Sequence, residues 1–285
     1  MQHEKAYAKI NLFLDILSKR PDGYHDIGTL FQMIDLHDDL SYQPAPSAVI
    51  ELTYNAPQDY PVESDLVYRA ARALQAKHAP QKGAHLHLVK RLPLGAGLGG
   101  GSADAAAALR LLNRAWELHL PSEELCNIGA ALGADIPFLV LGGSALASGI
   151  GDKLVPIRPI SLGKLHLVVA TPHCHVPTKA AYAGITPSGS ERWATFQSDL
   201  QQNNSIQLDA FPLFNKFEES VLPQYSPIVE LKNHFLQSGA ISALLSGSGA
   251  SVFGFFESLN LARDFLQKKS HCFRFGELAQ FKELC

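Results

Sequence analysis

The sequence predicts an α+β chain of two domains. Three observations carry that expectation. Period-two apolar alternation, the mark of half-buried strands, recurs along the chain. Helical patterns stand between these strands. The cluster Pro156, Pro159 and Gly163 interrupts both patterns and marks a boundary. It divides an N-terminal domain, residues 1–160, from a C-terminal domain, residues 161–285. A chain of 285 residues suits two domains or one large one, and it can bury a substantial core.

In chain order, Ala8, Ile10, Leu12, Leu14 and Ile16 alternate with Lys9, Asn11, Phe13 and Asp15 as one strand. Lys9 and Asn11 then share the face opposite the aliphatics, which is either a solvated face or a ligand-facing one. Pro21-Asp22-Gly23 is a turn, because proline presets one dihedral and glycine accepts positive φ. Tyr24 and His25 follow it directly. Leu30–Leu40 and Val49–Leu52 read as strands. Ser64 or Asp65 caps a helix running to Lys77, with Leu66, Ala70, Ala73 and Leu74 as its apolar stripe. A strand, His85–Val89, delivers Lys90 and Pro93 to a glycine-rich loop and its helix. Ser122 caps a short helix that closes at Gly133. Leu139–Ser148 and Leu154–Ile157 read as a hairpin turning at Gly149-Ile150-Gly151. Leu165–Ala170 is a buried strand, and Thr178 caps a helix carrying Tyr182. Ser188–Ser205 is polar and reads as a loop. Helices follow near Ala210–Val221 and Pro227–Gln237. Ile241–Leu245 and Val252–Phe256 are strands joined by Ser246-Gly247-Ser248-Gly249-Ala250-Ser251. A helix over Leu259–Lys269 and a strand near Phe273 end the chain.

Bulk properties narrow the function. Apolar residues make up 46% and charged residues 18%, which describes a folded soluble chain. A net charge of −3 gives no electrostatic footprint for nucleic acid. The cysteines Cys126, Cys174, Cys272 and Cys285 form no C-x-x-C pair, so a reducing cytoplasm is expected. No apolar run reaches membrane-spanning length, and the N-terminus lacks a signal-peptide core. The absence of a transit peptide points to a bacterial chain. His173-Cys174-His175 places two imidazoles on one strand face, but no further ligand cluster completes a metal site.

The stretch Pro93-Leu94-Gly95-Ala96-Gly97-Leu98-Gly99-Gly100-Gly101-Ser102-Ala103-Asp104 carries the chemistry. Glycines let backbone N–H groups approach a ligand closely, and a helix start adds unpaired N–H groups with partial positive charge. Together they predict a phosphate cradle. Gly95, Gly97 and Gly100 fit G-x-G-x-x-G, but Glu117 ends a helix where a ribose acid would end a strand. A Walker loop would need lysine where Gly101 stands. A protein kinase would need His-Arg-Asp and Asp-Phe-Gly, and the chain has neither. Lys90 could lie beside a nucleotide, and Asp104 sits where a helix dipole favours an acid and a metal ion could also bind. Asp135, between Gly133-Ala134 and Ile136-Pro137-Phe138, is an acid needing a cation, and Lys9 is the candidate.

Ala8-Lys9-Ile10-Asn11-Leu12, the loop Pro93–Ala106 and Leu245-Ser246-Gly247-Ser248-Gly249-Ala250, in this order, resemble the GHMP kinase superfamily. Arg20-Pro21-Asp22-Gly23-Tyr24-His25, Gly99-Gly100-Gly101-Ser102-Ala103-Asp104 and Leu132-Gly133-Ala134-Asp135-Ile136-Pro137 look like its branch acting on 4-diphosphocytidyl-2-C-methyl-D-erythritol. The resemblance covers essentially the whole chain. It implies an N-terminal α/β domain of the ribosomal protein S5 domain 2-like type and a ferredoxin-like C-terminal domain, with the active site between them. It implies ATP as co-substrate with Mg2+, and transfer of phosphate to the substrate's 2-hydroxyl in isoprenoid biosynthesis. By the same resemblance Asp135 is the base and Lys9 its catalytic partner. Asn11, Tyr24, His25, Thr178 and Tyr182 take the cytidine substrate. Asp65, Leu66 and Lys90 take adenosine, and Pro93, Leu94, Gly95, Ala96, Gly97, Leu98, Gly99, Gly100, Gly101, Ser102 and Ala103 take its phosphates. Asp65 stands where the family often has asparagine. No residue is assigned as a metal ligand, and a cytoplasmic monomer or weak homodimer is expected. The alternatives are a homoserine- or mevalonate-type kinase of the superfamily, or a nucleotide-binding regulator without catalysis.

Overall fold

A computed structural model describes residues 1–202 and 212–283. Two long antiparallel strands, β1 (Gln2–Lys19) and β2 (His25–Ala45), form the centre of the first sheet. Both run well beyond the alternating stretches of the sequence, because the Pro-Asp-Gly turn joins them in continuous register from Lys19–His25 to Gln2–Tyr42, with bulges. β3 (Ile50–Tyr54), helix α1 (Leu66–His78) and β4 (Gly83–Val89) follow. Next come α2 (Gly100–Ala115), α3 (Ser122–Ala130), α4 (Ile136–Leu141), β5 (Ser144–Ser148) and β6 (Lys153–Pro156). The first sheet reads β3-β4-β2-β1, and β5 and β6 branch from β2. Helices α1 and α2 cover it with an alanine- and leucine-rich interface, including Ala70, Leu74, Ala107 and Leu111.

The chain then builds a second sheet. The remaining elements are β7 (His166–Pro172), α5 (Thr178–Tyr182), α6 (Glu191–Gln202), β8 (Phe214–Asn215), α7 (Glu218–Val221), α8 (Ser226–Gln237), β9 (Ala240–Leu245), β10 (Val252–Phe256), α9 (Leu259–Lys268) and β11 (Phe273–Ala279). The antiparallel sheet order is β11-β7-β10-β9, with α8 and α9 packed on it. β8 instead joins the first sheet, pairing in parallel with Phe13 and Leu14 of β1. The aliphatic face of β1, Ala8, Ile10 and Leu12, packs with Leu167, Val169 and Phe253 of the second sheet. A strand covered on both faces has no solvated side, so Lys9 (4% exposed) and Asn11 (1%) are buried.

Several expectations are corrected. The polar stretch from Ser188 is not a loop through the described part; Glu191–Gln202 is helix α6, and 203–205 lie outside the described residues. Its helicity comes from tertiary packing: Trp193 and Phe196, three apart, cover Phe13, with Phe13 and Phe196 rings stacked 4.0 Å apart. A Cβ on Gly28 would lie 2.4 Å from the Trp193 ring, so glycine admits that indole. The helix expected near Ala210–Val221 is β8 and α7 over its described part, while 210–211 lie outside it. Leu139–Leu141 belongs to α4, not to the hairpin, whose strands are β5 and β6. Ser122 and Thr178 are first helical residues, with Pro121 and Pro177 at the caps. Helix α3 ends at Ala130, and a further turn carries the chain to Gly133.

Candidate functional site

The glycine loop sits where β1, α2 and the second sheet meet. Gly95, Gly97 and Gly99 take φ of +60°, +77° and +70°, the region only glycine enters without strain. Gly99 is the N-cap of α2, so the first N–H groups of a 16-residue helix face the loop. Lys9 N–H donates to Leu98 O at 3.0 Å, locking the loop to β1. Ala96, Leu98 and Ala103 are buried and serve as the loop's anchors.

Above the loop the Ser246–Ser251 turn closes over it. Ser246 Oγ donates to Gly97 O at 3.0 Å, and Ser251 N–H to Ala96 O at 3.0 Å. A Cβ on Gly97 would stand 2.0 Å from Ser246 O, so the two turns need glycine to approach.

Lys9 Nζ donates to Asn11 Oδ1 at 2.8 Å and lies 3.4 Å from Asp135 Oδ2. Asn11 Nδ2 donates to Thr29 Oγ1, which donates to Phe13 O, so the chain of donors fixes the lysine. The Lys9 side chain is 5% exposed and the Asp135 side chain 33%: the pair is rooted in the core and opens at its carboxylate. The partnership expected between them is present.

Both line a cavity of about 540 Å³. The loop glycines Gly95, Gly97 and Gly99 and the turn residues Gly247, Ser248 and Gly249 line it as well. Tyr24, His25 and Tyr182 line it too, with Thr178 and Asn11. His25 and Tyr182 stack on each other, centroids 4.7 Å apart and planes 17° apart, and Phe217 meets Tyr182 edge-on. Rings this close leave no slot between them, so a planar ligand would lie on an outer face of the pair, with the exposed Tyr24 beside it. Asp22 Oδ1 accepts from Tyr24 N–H at 3.0 Å, and Arg20 holds Asp22 and Asp26. Burial, and then the charge of Asp135, push the Tyr182 hydroxyl up to about 12. Burial and Lys19 hold the His25 imidazole below its ordinary value, which favours the neutral ring at pH 7.

The other expected residues gather elsewhere. A second hollow, about 240 Å³, is lined by Asp65, Leu66, Lys90, Leu94 and Gly101, together with Tyr60, Ser64 and Asp104. Asp65 is heavily engaged: it caps α1 through Val67 N–H at 2.7 Å and accepts from Tyr54 and Tyr60 hydroxyls at 3.0 and 2.9 Å. Lys90 Nζ bridges Asp38 and Asp104. Burial works against its charge, but Asp104 and Asp38 outweigh that and raise its value. Burial pushes the Asp104 carboxyl well above the usual range; Asp38 adds to the shift and Lys90 only partly opposes it. Asp104 Oδ1 is buried with no hydrogen-bond partner.

Sequence reasoning missed Asp38, whose Oδ1 accepts from the N–H groups of Arg91 and Leu92 at the entry to the glycine loop. It also missed Tyr54, Tyr60 and Asn215. An isolated polar residue in a strand gives no local signal of what it will meet 50 residues away. His175 lies against Gly95 at the cavity wall. Among the described residues no three His, Cys, Asp or Glu side chains converge as a metal site, and no helix is long and apolar enough to cross a membrane.

Residues 65–143 match the model of the GHMP kinases N terminal domain, and residues 189–271 that of the GHMP kinases C terminal domain. The chain is 39% identical over 261 residues to a 4-diphosphocytidyl-2-C-methyl-D-erythritol kinase of Pelotomaculum thermopropionicum, covering 90% of each. It is 41% identical over 268 residues to the kinase of the same name from Chlorobium phaeovibrioides, covering 91% of this chain and 89% of that one. The crystal structure of a 4-(cytidine 5'-diphospho)-2C-methyl-D-erythritol kinase superposes with a TM-score of 0.79 at 29% identity, covering 98% of both chains. With its glycine cradle, its lysine–aspartate pair and its match along both halves, the chain belongs to the GHMP kinases, in the 4-diphosphocytidyl-2-C-methyl-D-erythritol kinase family.

Proposed function

We propose that the cavity transfers the γ-phosphoryl group of ATP to the 2-hydroxyl of 4-diphosphocytidyl-2-C-methyl-D-erythritol, giving ADP and the 2-phosphate. The observation that carries the reading is the Lys9–Asp135 pair, which lines one cavity together with the loop glycines and the rings of Tyr24, His25 and Tyr182. Phosphoryl transfer asks a protein mainly for positioning and for charge stabilisation. Asp135 accepts the hydroxyl's proton or orients it, and Lys9 holds the carboxylate and neutralises charge on the moving group. Gly95–Ala103 and the start of α2 hold the ATP phosphates. Adenosine lies along Leu66 and Lys90 in the second hollow, where the carboxylate of Asp65 acts from its place at the helix cap. Cytosine lies on the outer face of the His25–Tyr182 stack, beside Tyr24. Mg2+ bound to the triphosphate would neutralise part of its charge there. Residues 1–160 supply the ATP side and residues 161–285 close over the substrate. The enzyme acts in the cytoplasm, as a monomer or weak homodimer.

The aromatic rings of the cavity distinguish this substrate from homoserine or mevalonate, which have no base to stack. Tyr24→Ala and Tyr182→Ala should each raise KM for the cytidine substrate roughly tenfold, with kcat and ATP affinity little changed. An unchanged KM in both variants would overturn the pocket assignment.

A further inference from the structure

The short strand β8 lies outside both glycine motifs, yet its asparagine holds one of them. Phe214 and Asn215 pair with Phe13 and Leu14, and Lys216 N–H donates to Leu14 O at 2.9 Å. The strand is therefore fixed to the same β1 that carries Lys9 and Asn11. Asn215 is 3% exposed. Its Nδ2 donates to Leu245 O at 2.6 Å and to Gly247 O at 2.8 Å, and its Oδ1 accepts from Phe217 N–H at 2.9 Å. Every hydrogen-bonding capacity that matters here is used. Three residues on, Glu218 Oε1 accepts from Leu245 N–H at 2.8 Å, and Lys232 neutralises the carboxylate. One four-residue segment thus grips the entry of the Ser246–Ser251 turn by two carbonyls and one N–H.

We infer that Asn215 is a positioning residue for phosphoryl transfer, fixing the Gly247–Ser248 peptide of the second glycine turn beside Lys9. A peptide's C=O and N–H point to opposite sides. With Gly247 O drawn to Asn215, the Ser248 N–H is turned away from it. No described protein group accepts that N–H. Ser248 and Gly247 line the cavity and Asn215 does not. A Cβ on Gly247 would lie 3.5 Å from both Lys9 Nζ and Asn11 Oδ1, which measures how near the turn comes to the catalytic pair. The clamp thus presents a fixed N–H donor to an oxyanion held at Lys9, with no reorganisation at the moment of reaction. Its effect on turnover rests on the proposed phosphoryl transfer; its effect on the turn does not.

The test uses Asn215→Asp, which keeps the shape and the acceptor for Phe217 N–H but replaces both donors by a carboxylate facing two carbonyls. Hydrogen–deuterium exchange of peptides covering 245–251 should speed up while peptides of β1 and β4 keep their protection. Turnover per folded enzyme should fall about 10- to 100-fold, with KM for the cytidine substrate within about twofold of wild type. Unchanged exchange in 245–251, or turnover equal to wild type, would overturn the assignment. So would an exchange increase spread evenly over the second sheet, which marks a general structural role. Should Asn215→Asp fail to fold, Glu218→Ala removes the acceptor for Leu245 N–H. It should loosen the same peptides and lower kcat about fivefold; no change in either overturns the clamp. Wild-type protein that transfers no phosphate, with the turn still loosened by Asn215→Asp, would reject the reaction and leave the clamp standing.

Discussion

Lys9 is held by Asn11 on one side and reaches Asp135 on the other, so the ammonium is placed before any ligand arrives. Removing the carboxylate's charge should therefore damage the chemical step more than binding. Asp135→Asn is expected to lower kcat by about 10²- to 10⁴-fold, with KM for ATP within about threefold, in steady-state assays. Equal losses in both would make Asp135 structural. At the Lys90 triad the prediction concerns stability. Asp104 holds its proton more tightly folded than unfolded. That favours the fold below the ordinary carboxyl range, and the advantage is lost as pH rises toward the raised folded value. Asp104→Asn has no such proton to lose. It should melt above wild type at pH 7, the difference closing as pH falls toward 4, read by thermal melts across pH. A lower melting temperature at pH 7 would show that the charged Asp104 is what Lys90 needs.

At the scale of elements, the site depends on two turns that meet through glycines. Gly97 combines φ of +77° with a Cβ position 2.0 Å from Ser246 O. Gly97→Ala must push the turns apart and should cost about 10² in kcat/KM for ATP, with the thermal shift by ATP reduced. Full activity would mean that their contact is dispensable. These turns were legible in the sequence because glycine reports backbone conformation directly. The strands flanking Ser246–Ser251 were legible as well, since apolar runs around a glycine turn have few other readings. Helix α6 was not. Its sequence is polar, and only Trp193 and Phe196 against Phe13 make it pay to be helical, a contact that periodicity cannot see. The burial of Lys9 and Asn11 was likewise hidden, because alternation fixes which residues share a face but not whether that face is covered.

Across the whole molecule, the cleft exists because the two sheets are joined through β1. Its aliphatic face packs on the second sheet, its edge takes β8 from the later half of the chain, and its Lys9 N–H holds the first glycine loop. Glycine loop, acid and aromatic rings are thereby referred to one strand. The resemblance read from the motifs extends over 90% of the Pelotomaculum relative and to the fold of the solved kinase. Asp38, Asn215 and Tyr60 were not legible, since each gains its meaning from partners distant in sequence. The most direct measurement mixes the pure protein with Mg·ATP and 4-diphosphocytidyl-2-C-methyl-D-erythritol, following ADP release and the phosphorus spectrum of the product. The account predicts stoichiometric ADP and a new phosphomonoester on the tertiary 2-hydroxyl. Stabilisation by ATP without that product, under conditions where homoserine or mevalonate is phosphorylated instead, would contradict it.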